Sequence, residues 1–169
     1  VLDRLKVGLY KELDDKTKTV LQTPQHLNLF CRVYAKNKKK EYYSITELYD
    51  ELWLQTIGLA ESKINKEGAE RILYGLALKI YDDETLTPQW DNDTSELKEA
   101  NYLISEGIIE QTDNRSAFFH QSMYDYVFAR YYKKEKRSLV QDLLEKKKHQ
   151  GLFMRSTVNF VLDYERAKN

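Results

Sequence analysis

Between Ala69 and Ile80 the apolar residues Ala69, Ile72, Leu73, Leu76, Ala77 and Ile80 fall at i, i+3, i+4 spacing, which lays them along one face of an α-helix. The same period recurs along most of the chain, and it is broken each time by residues that start or stop helices. A chain patterned in this way folds as mainly α, and the remaining question is where the exceptions lie.

The punctuation is readable from the N-terminus onward. Leu2, Leu5, Leu9 and Leu13 stand at helical spacing, and Asp14 and Asp15 open a short segment that runs to Gln22. In "TPQHLNLFCRVY" Thr23 is an N-cap and Pro24 takes the first helical position, where its missing N–H costs nothing. Leu27, Phe30, Cys31 and Tyr34 form the expected buried stripe of this helix, which should stop near Asn37. "SITELYDELW" places Ser44 and Glu47 in the S-x-x-E capping-box arrangement, with Leu48, Tyr49, Leu52 and Trp53 on one face and Gly58 as the stop. Pro88 punctuates the loop after the helix over 69–80. Asp93 with Glu96 is expected to cap the next helix, "SELKEANYLISEG", which Gly107 ends.

One stretch departs from the helical period. "IIEQTDNRSAFFH" has two short apolar runs around Asp113-Asn114, the pattern of a small hairpin. It leads into a helix whose ring-rich stripe runs through Tyr124, Val127, Phe128, Tyr131 and Tyr132, with Asp125 read as the capping partner of Ser122. A basic helix from about Ser138 to Lys148 and the start of another from Leu152 to Leu162 close the chain. Three helices followed by a two-stranded wing give the order of a winged helix-turn-helix. The expected architecture is a helical segment over residues 1–43, a winged-helix domain with a small β-hairpin over 44–132, and the start of a further helical region over 133–169. Leu48, Leu52, Trp53, Ile72, Leu76, Leu103, Phe119 and Phe128 are expected to share one core, with the wing packed on the third helix.

Composition narrows the functional classes. With 41% hydrophobic residues and no apolar run near the roughly 20 residues of a membrane span, the sequence reads as a cytoplasmic protein without a membrane partner. A first residue of Val, with no signal peptide, points to a piece of a longer protein. The lone cysteine, Cys31, supports neither a disulfide framework nor a Cys-rich metal site. His26, His120 and His149 are far apart and lack partners of metal-ligand spacing, and there is no Gly-rich phosphate loop, H-E-x-x-H or G-x-S-x-G. No catalytic residue and no metal ligand is assigned, and the chain alone is not expected to be an enzyme.

The formal net charge of +0 conceals a segregation. Residues 1–60 carry ten Lys/Arg against eight Asp/Glu, residues 61–132 seven against fourteen, and residues 133–169 ten against five. A winged helix that binds DNA needs cations on its third helix for phosphate contacts. "SELKEANYLISEG" offers three glutamates and one lysine, which argues against DNA and favours an interaction or regulatory use. The lysine runs Lys38 to Lys40 and Lys146 to Lys148 read as solvated surface.

At this point the motifs carry a resemblance. "AFFHQSMYDYVFARYY" resembles the end of the winged-helix domain of STAND-type NTPases, especially bacterial NACHT-like ATPases, in which a Phe-His pair precedes an aromatic helix ending in Ala-Arg. "LQTPQHLNLFCRVY" is similar to the helical lid of those proteins, and with "SITELYDELW" the likeness covers most of residues 23–132. The resemblance implies a larger signalling ATPase in which a P-loop domain precedes this chain and a C-terminal sensor region follows. ADP would hold the closed form, and exchange for ATP would allow opening and homo-oligomerisation. It also implies that Pro24 packs on the adenine and that His120 reaches the β-phosphate. Walker A and Walker B segments are absent from this sequence, so no nucleotide is expected to bind tightly to it alone. The alternative is a stand-alone winged-helix interaction or DNA-binding module. On chemistry alone, His120 at a helix start suits a phosphate donor, and a packed histidine bonded to a carbonyl is the plain alternative.

Overall fold

The computed structural model describes residues 11–60, 63–90, 97–135 and 152–168, with the side chains of 155–166 in the last stretch. The expected segment through Leu2, Leu5 and Leu9, the Asp93/Glu96 cap and the basic helix near Ser138 lie outside the described residues. The rest is mainly helical with one small antiparallel hairpin, and it divides into two compact units, Val1–Ala60 and Glu61–Asn169. Among the described residues no helix is long and apolar enough to cross a membrane.

In the first unit, α1 (Asp15–Val20) is capped by Asp14, whose carboxylate accepts from the Thr17 N–H at 2.9 Å and from the Thr17 hydroxyl at 2.7 Å. That hydroxyl oxygen also accepts from the buried Tyr42 N–H at 3.0 Å, so a local cap doubles as a long-range tie. α2 (Pro24–Asn37) begins as its sequence demands, with Thr23 Oγ1 accepting from the His26 N–H and Pro24 in the first turn. It ends at Asn37 with Lys38 in the left-handed region, φ 59°.

The buried face of α2 is not quite the stripe expected. Leu29, Phe30 and Val33 are buried, while Leu27, Cys31 and Tyr34 are half-buried flanks. Apolar residues cover more than half the circumference of this helix, so periodicity alone leaves the choice of face to tertiary partners. Those partners are Tyr42, edge-on to Phe30 at 6.0 Å, and Gln55, whose amide donates to the Val33 carbonyl at 3.1 Å.

α3 (Ile45–Trp53) packs on α2 and buries Leu48, Tyr49, Leu52 and Trp53 as its spacing predicts. Ser44 accepts from the Glu47 N–H at 3.2 Å, and the Glu47 carboxylate reaches back to the Tyr43 N–H at 2.9 Å, one residue beyond the usual return of a capping box. The helix then widens into a π turn, Leu54–Gly58, closed by Leu59 N–H donating to the Leu54 carbonyl at 2.9 Å. The Thr56 hydroxyl donates back to the Leu52 carbonyl at 2.7 Å, a local competitor of the α-helical ladder at that point.

In the second unit, α4 (Lys66–Asp83) buries all six apolar positions that define its period, together with Tyr74 and Tyr81. Asn65 caps it, and the Asn65 N–H itself donates at 3.0 Å to the buried carboxylate of Glu99 on α5 (Leu97–Ser105). Gly107 ends α5 with φ 61°, while the Gly107 N–H donates to the Ile104 carbonyl at 2.8 Å and the Ile108 N–H to the Leu103 carbonyl at 2.9 Å, a Schellman ending.

β1 (Ile109–Thr112) and β2 (Arg115–Phe118) then pair across Asp113-Asn114, with Ile109 opposite Phe118 and Asp113 at φ 53°. The preceding loop lies along β2, with Gln89 bridged to Arg115 and the Ser116 N–H donating to the Pro88 carbonyl at 3.2 Å. Strand alternation turns Phe118 inward, so Phe118 is the buried ring and the expected Phe119 is only half-buried. The other expected core residues are all buried, but the single shared core expected of them is divided between the two units, with Leu48, Leu52 and Trp53 in the first and Ile72, Leu76, Leu103 and Phe128 in the second.

α6 (Gln121–Lys134) is the axis of the second unit. One face carries Tyr124, Phe128 and Tyr132 against Tyr81, with Phe128 at 5.0 Å from Tyr81 and 4.6 Å from Tyr132 between ring centroids. The opposite face carries Asp125, Tyr126 and Ala129 and is covered by α7 (Leu152–Lys168), where Tyr126 meets Phe160 and Tyr164 edge-on. The ring positions predict a single stripe, but α6 is buried nearly all round because α7 supplies a second partner.

Candidate functional site

His120 stands where β2 ends and α6 begins, with extended backbone angles of φ −161° and ψ 150° that make it the N-cap. Its exposed ring turns back on the helix, and Nδ1 accepts from the Ser122 N–H at 3.1 Å, with the Ser122 hydroxyl 2.7 Å away. A nitrogen that accepts from a backbone N–H carries no proton of its own, so the neutral ring has its N–H at Nε2. His120 is therefore not a packed histidine. It is an anchored one whose donor edge is Nε2.

The anchor also occupies the N–H of Ser122, one of the helix-start donors that a phosphate would otherwise use. A ligand at this helix end would meet the imidazole rather than that amide. Substituting the cap has a cost of its own: His120→Ala is expected to lower the stability of the second unit by about 1 kcal/mol, the ordinary cost of a lost N-cap. His120→Asn, which caps through its side-chain oxygen and is among the best N-cap residues, should leave the stability nearly unchanged. Urea unfolding of the two variants in parallel checks the difference.

Pro24 occupies the first turn of α2 and is exposed, as the Thr23-Pro24 sequence implies. It belongs to the first unit and His120 to the second.

Asp125 departs from its expected role. Its carboxylate does not cap Ser122, a position His120 fills, but lies buried under α7, accepting from the Thr157 hydroxyl at 2.6 Å and lying 3.5 Å from Ser156 Oγ. Burial pushes its carboxyl up to about 6, against the downward pull of the Thr157 and Ser156 hydroxyls. S-x-x-D spacing fits a cap, but Thr157 lies 32 residues away, and only the docking of α7 reveals it.

A second group of polar residues gathers at the other end of α6. Arg130 donates from Nη1 to the hydroxyls of Tyr126 at 3.3 Å and Tyr164 at 3.4 Å, and it also bonds the Tyr74 phenol. The sequence marks Arg130 only as the arginine of the Ala-Arg that ends the aromatic helix, and its partners Tyr74 and Tyr164 come from α4 and α7. Among the described residues no cluster of His, Cys, Asp and Glu could hold a metal ion. No family model matches this chain, and no curated protein matches it.

Proposed function

We propose that this chain is a regulatory, nucleotide-sensing part of a STAND/NACHT-type signalling ATPase. Residues 1–43 act as its helical lid and residues 44–132 as its winged-helix domain, with ADP and ATP bound chiefly by a P-loop domain elsewhere in the same protein. The observation that carries the reading is the position of His120, an exposed imidazole held by its own Nδ1 cap at the junction of hairpin and helix. A side chain held in this way loses little freedom on meeting a phosphate, and the adjoining helix start favours the ligand's negative charge.

Two further features support it. α4 and α5 precede the two-stranded hairpin, which is compatible with a wing, and residues 88–90 lie along β2 as a third edge. Pro24 is exposed in the first turn of α2, so its ring is accessible to a base as the lid reading requires.

On this reading the chain senses and does not catalyse, because phosphate transfer needs a cradling loop and a metal-positioning carboxylate that its sequence lacks. The purified chain is expected to show no ATP turnover above a buffer blank in a phosphate-release assay. Turnover that follows the protein through purification would contradict this. In the gene, a G-x-x-x-x-G-K-[ST] segment is expected upstream in the same reading frame, and a complete short gene without one would favour the stand-alone interaction module.

A further inference from the structure

α7 is attached to the second unit along one stripe. Thr157, Val161 and Tyr164 are buried at i, i+4, i+7 spacing, while Asn159, Leu162 and Asp163 are exposed. Its partner is chiefly α6, whereas α6 is also held by α4 and β2. Release of α7 therefore leaves the packing of α6 on α4 and the hairpin in place. The α6–α7 contact is also polar at its buried centre. The Thr157 hydroxyl donates at 2.6 Å to the Asp125 carboxylate, Ser156 Oγ lies 3.5 Å from the same oxygen, and the Gln121 amide donates to Ser156 at 2.9 Å. Asp125 and Thr157 are 3% and 0% exposed, so docking takes a carboxyl group out of water and gives it hydroxyl partners. A carboxylate buried without a cation is costly, and the cost falls on the docked form alone.

Among the described residues no cation pairs with Asp125. On α6 its neighbours are the Tyr124 phenol, which burial keeps protonated, and Tyr126, whose oxygen accepts from Arg130, while the His120 ring is turned onto Ser122. α7 brings the two hydroxyls, the exposed Arg155, and Tyr164 bonded to Arg130. From α4, Tyr81 and Asp82 lie toward Tyr124, and from β2, Phe118 meets the Tyr124 ring and Arg115 donates to the Thr87 carbonyl. Burial raises the Asp125 carboxyl from 3.8 to about 6 against the downward pull of the two hydroxyls, with no charged group entering the balance. The docked form thus holds the proton more tightly than a released form with this carboxyl in water. Docking is strongest below about pH 4, weakens by up to about tenfold per pH unit, and levels off above about pH 6.

We propose that α7 is a pH-sensitive latch on α6, held down while Asp125 is a neutral acid and loosened for local opening when Asp125 ionises. Opening uncovers the face of α6 that carries Tyr126 and Ala129, which α7 otherwise shields with Phe160 and Tyr164. The docked form remains the majority species, and the rise toward neutral pH enlarges the open minority. The latch stands on the α6–α7 contact and is independent of any role of His120 toward a nucleotide.

The test is amide hydrogen exchange of the full 169-residue chain at pH 5 and pH 7, read by mass spectrometry on peptides from α7 and from α4 and divided by the intrinsic exchange rate at each pH. The opening equilibrium of α7 is expected to rise about tenfold from pH 5 to pH 7. At pH 7 α7 should open at least about tenfold more often than α4, because its release is local rather than an unfolding of the whole unit. Asp125→Asn keeps every other titrating group of the parent, so the difference between the two profiles belongs to Asp125, and the tenfold rise should be lost in the variant. The parent profile is a test without any substitution, should Asp125→Asn disturb folding. Equal protection of α7 and α4 at pH 7, an α7 opening equilibrium that is the same at pH 5 and pH 7 in the parent, or an undiminished rise in Asp125→Asn would overturn the proposal.

Discussion

Phe128→Ala is expected to destabilise the second unit by about 3–5 kcal/mol, the range for truncating a fully buried aromatic ring. Phe128 is 0% exposed and has Tyr81, Tyr124 and Tyr132 as ring neighbours, with centroids at 5.0, 5.8 and 4.6 Å. None of these side chains can fill the vacated volume without leaving its own packing site, so relaxation recovers little of the loss. The two tryptophans make the measurement specific. Trp90 packs against Gly75 in the second unit and Trp53 is buried in the first, so a Trp53→Phe background leaves Trp90 as the reporter during urea unfolding. A fall of less than about 1 kcal/mol would mean that α6 is not the axis of that unit.

The second large effect depends on pH. Asp125 has its carboxyl raised from 3.8 to about 6, so the native state holds the proton more tightly than the unfolded chain. Its favourable contribution is complete below about pH 4 and is lost as pH rises through about 6. Above that, keeping the carboxylate buried costs up to about 3 kcal/mol, because each pH unit separating the native and unfolded titrations is worth about 1.36 kcal/mol. Asp125→Asn removes the charge but keeps an oxygen that can accept from the Thr157 hydroxyl. At pH 7.5 the variant should be more stable than the parent chain by about 1–3 kcal/mol, with the gap closing toward pH 4. A difference that is flat from pH 4 to 8, or a variant less stable at pH 7.5, would show that Asp125 does not carry a buried charge.

Much of the secondary structure is legible in the sequence because the signals are local. Thr23-Pro24, the Ser44 cap, Gly107 and the Asp113-Asn114 turn each act within a few residues, and each does what its chemistry implies. The buried face of α2 is less legible, since its apolar residues leave two adjacent stripes possible and Tyr42 decides between them. Asp125 misleads because S-x-x-D is a local pattern and Thr157 a distant partner. His120 stands out as a possible donor, but its capping Nδ1 has no sequence signal, because an imidazole is not among the usual N-cap side chains. The partners that Arg130 gathers have none either, since Tyr74 and Tyr164 come from α4 and α7.

The cap changes how the sensor reading must be tested. Loss of stability in His120→Ala would follow from the missing cap alone and would say nothing about a ligand, whereas His120→Asn keeps a capping oxygen and removes the imidazole donor. The most direct measurement is therefore ADP retention by His120→Asn in the protein that carries the P-loop domain, read as the dissociation rate of a fluorescent ADP. A hydrogen bond to a charged phosphate is typically worth about 1.5–3 kcal/mol, so release on the order of ten- to a hundredfold faster is predicted, with the melting temperature nearly unchanged. ADP release at the parent rate from a normally folded His120→Asn protein would contradict the proposed role of His120 as a nucleotide sensor.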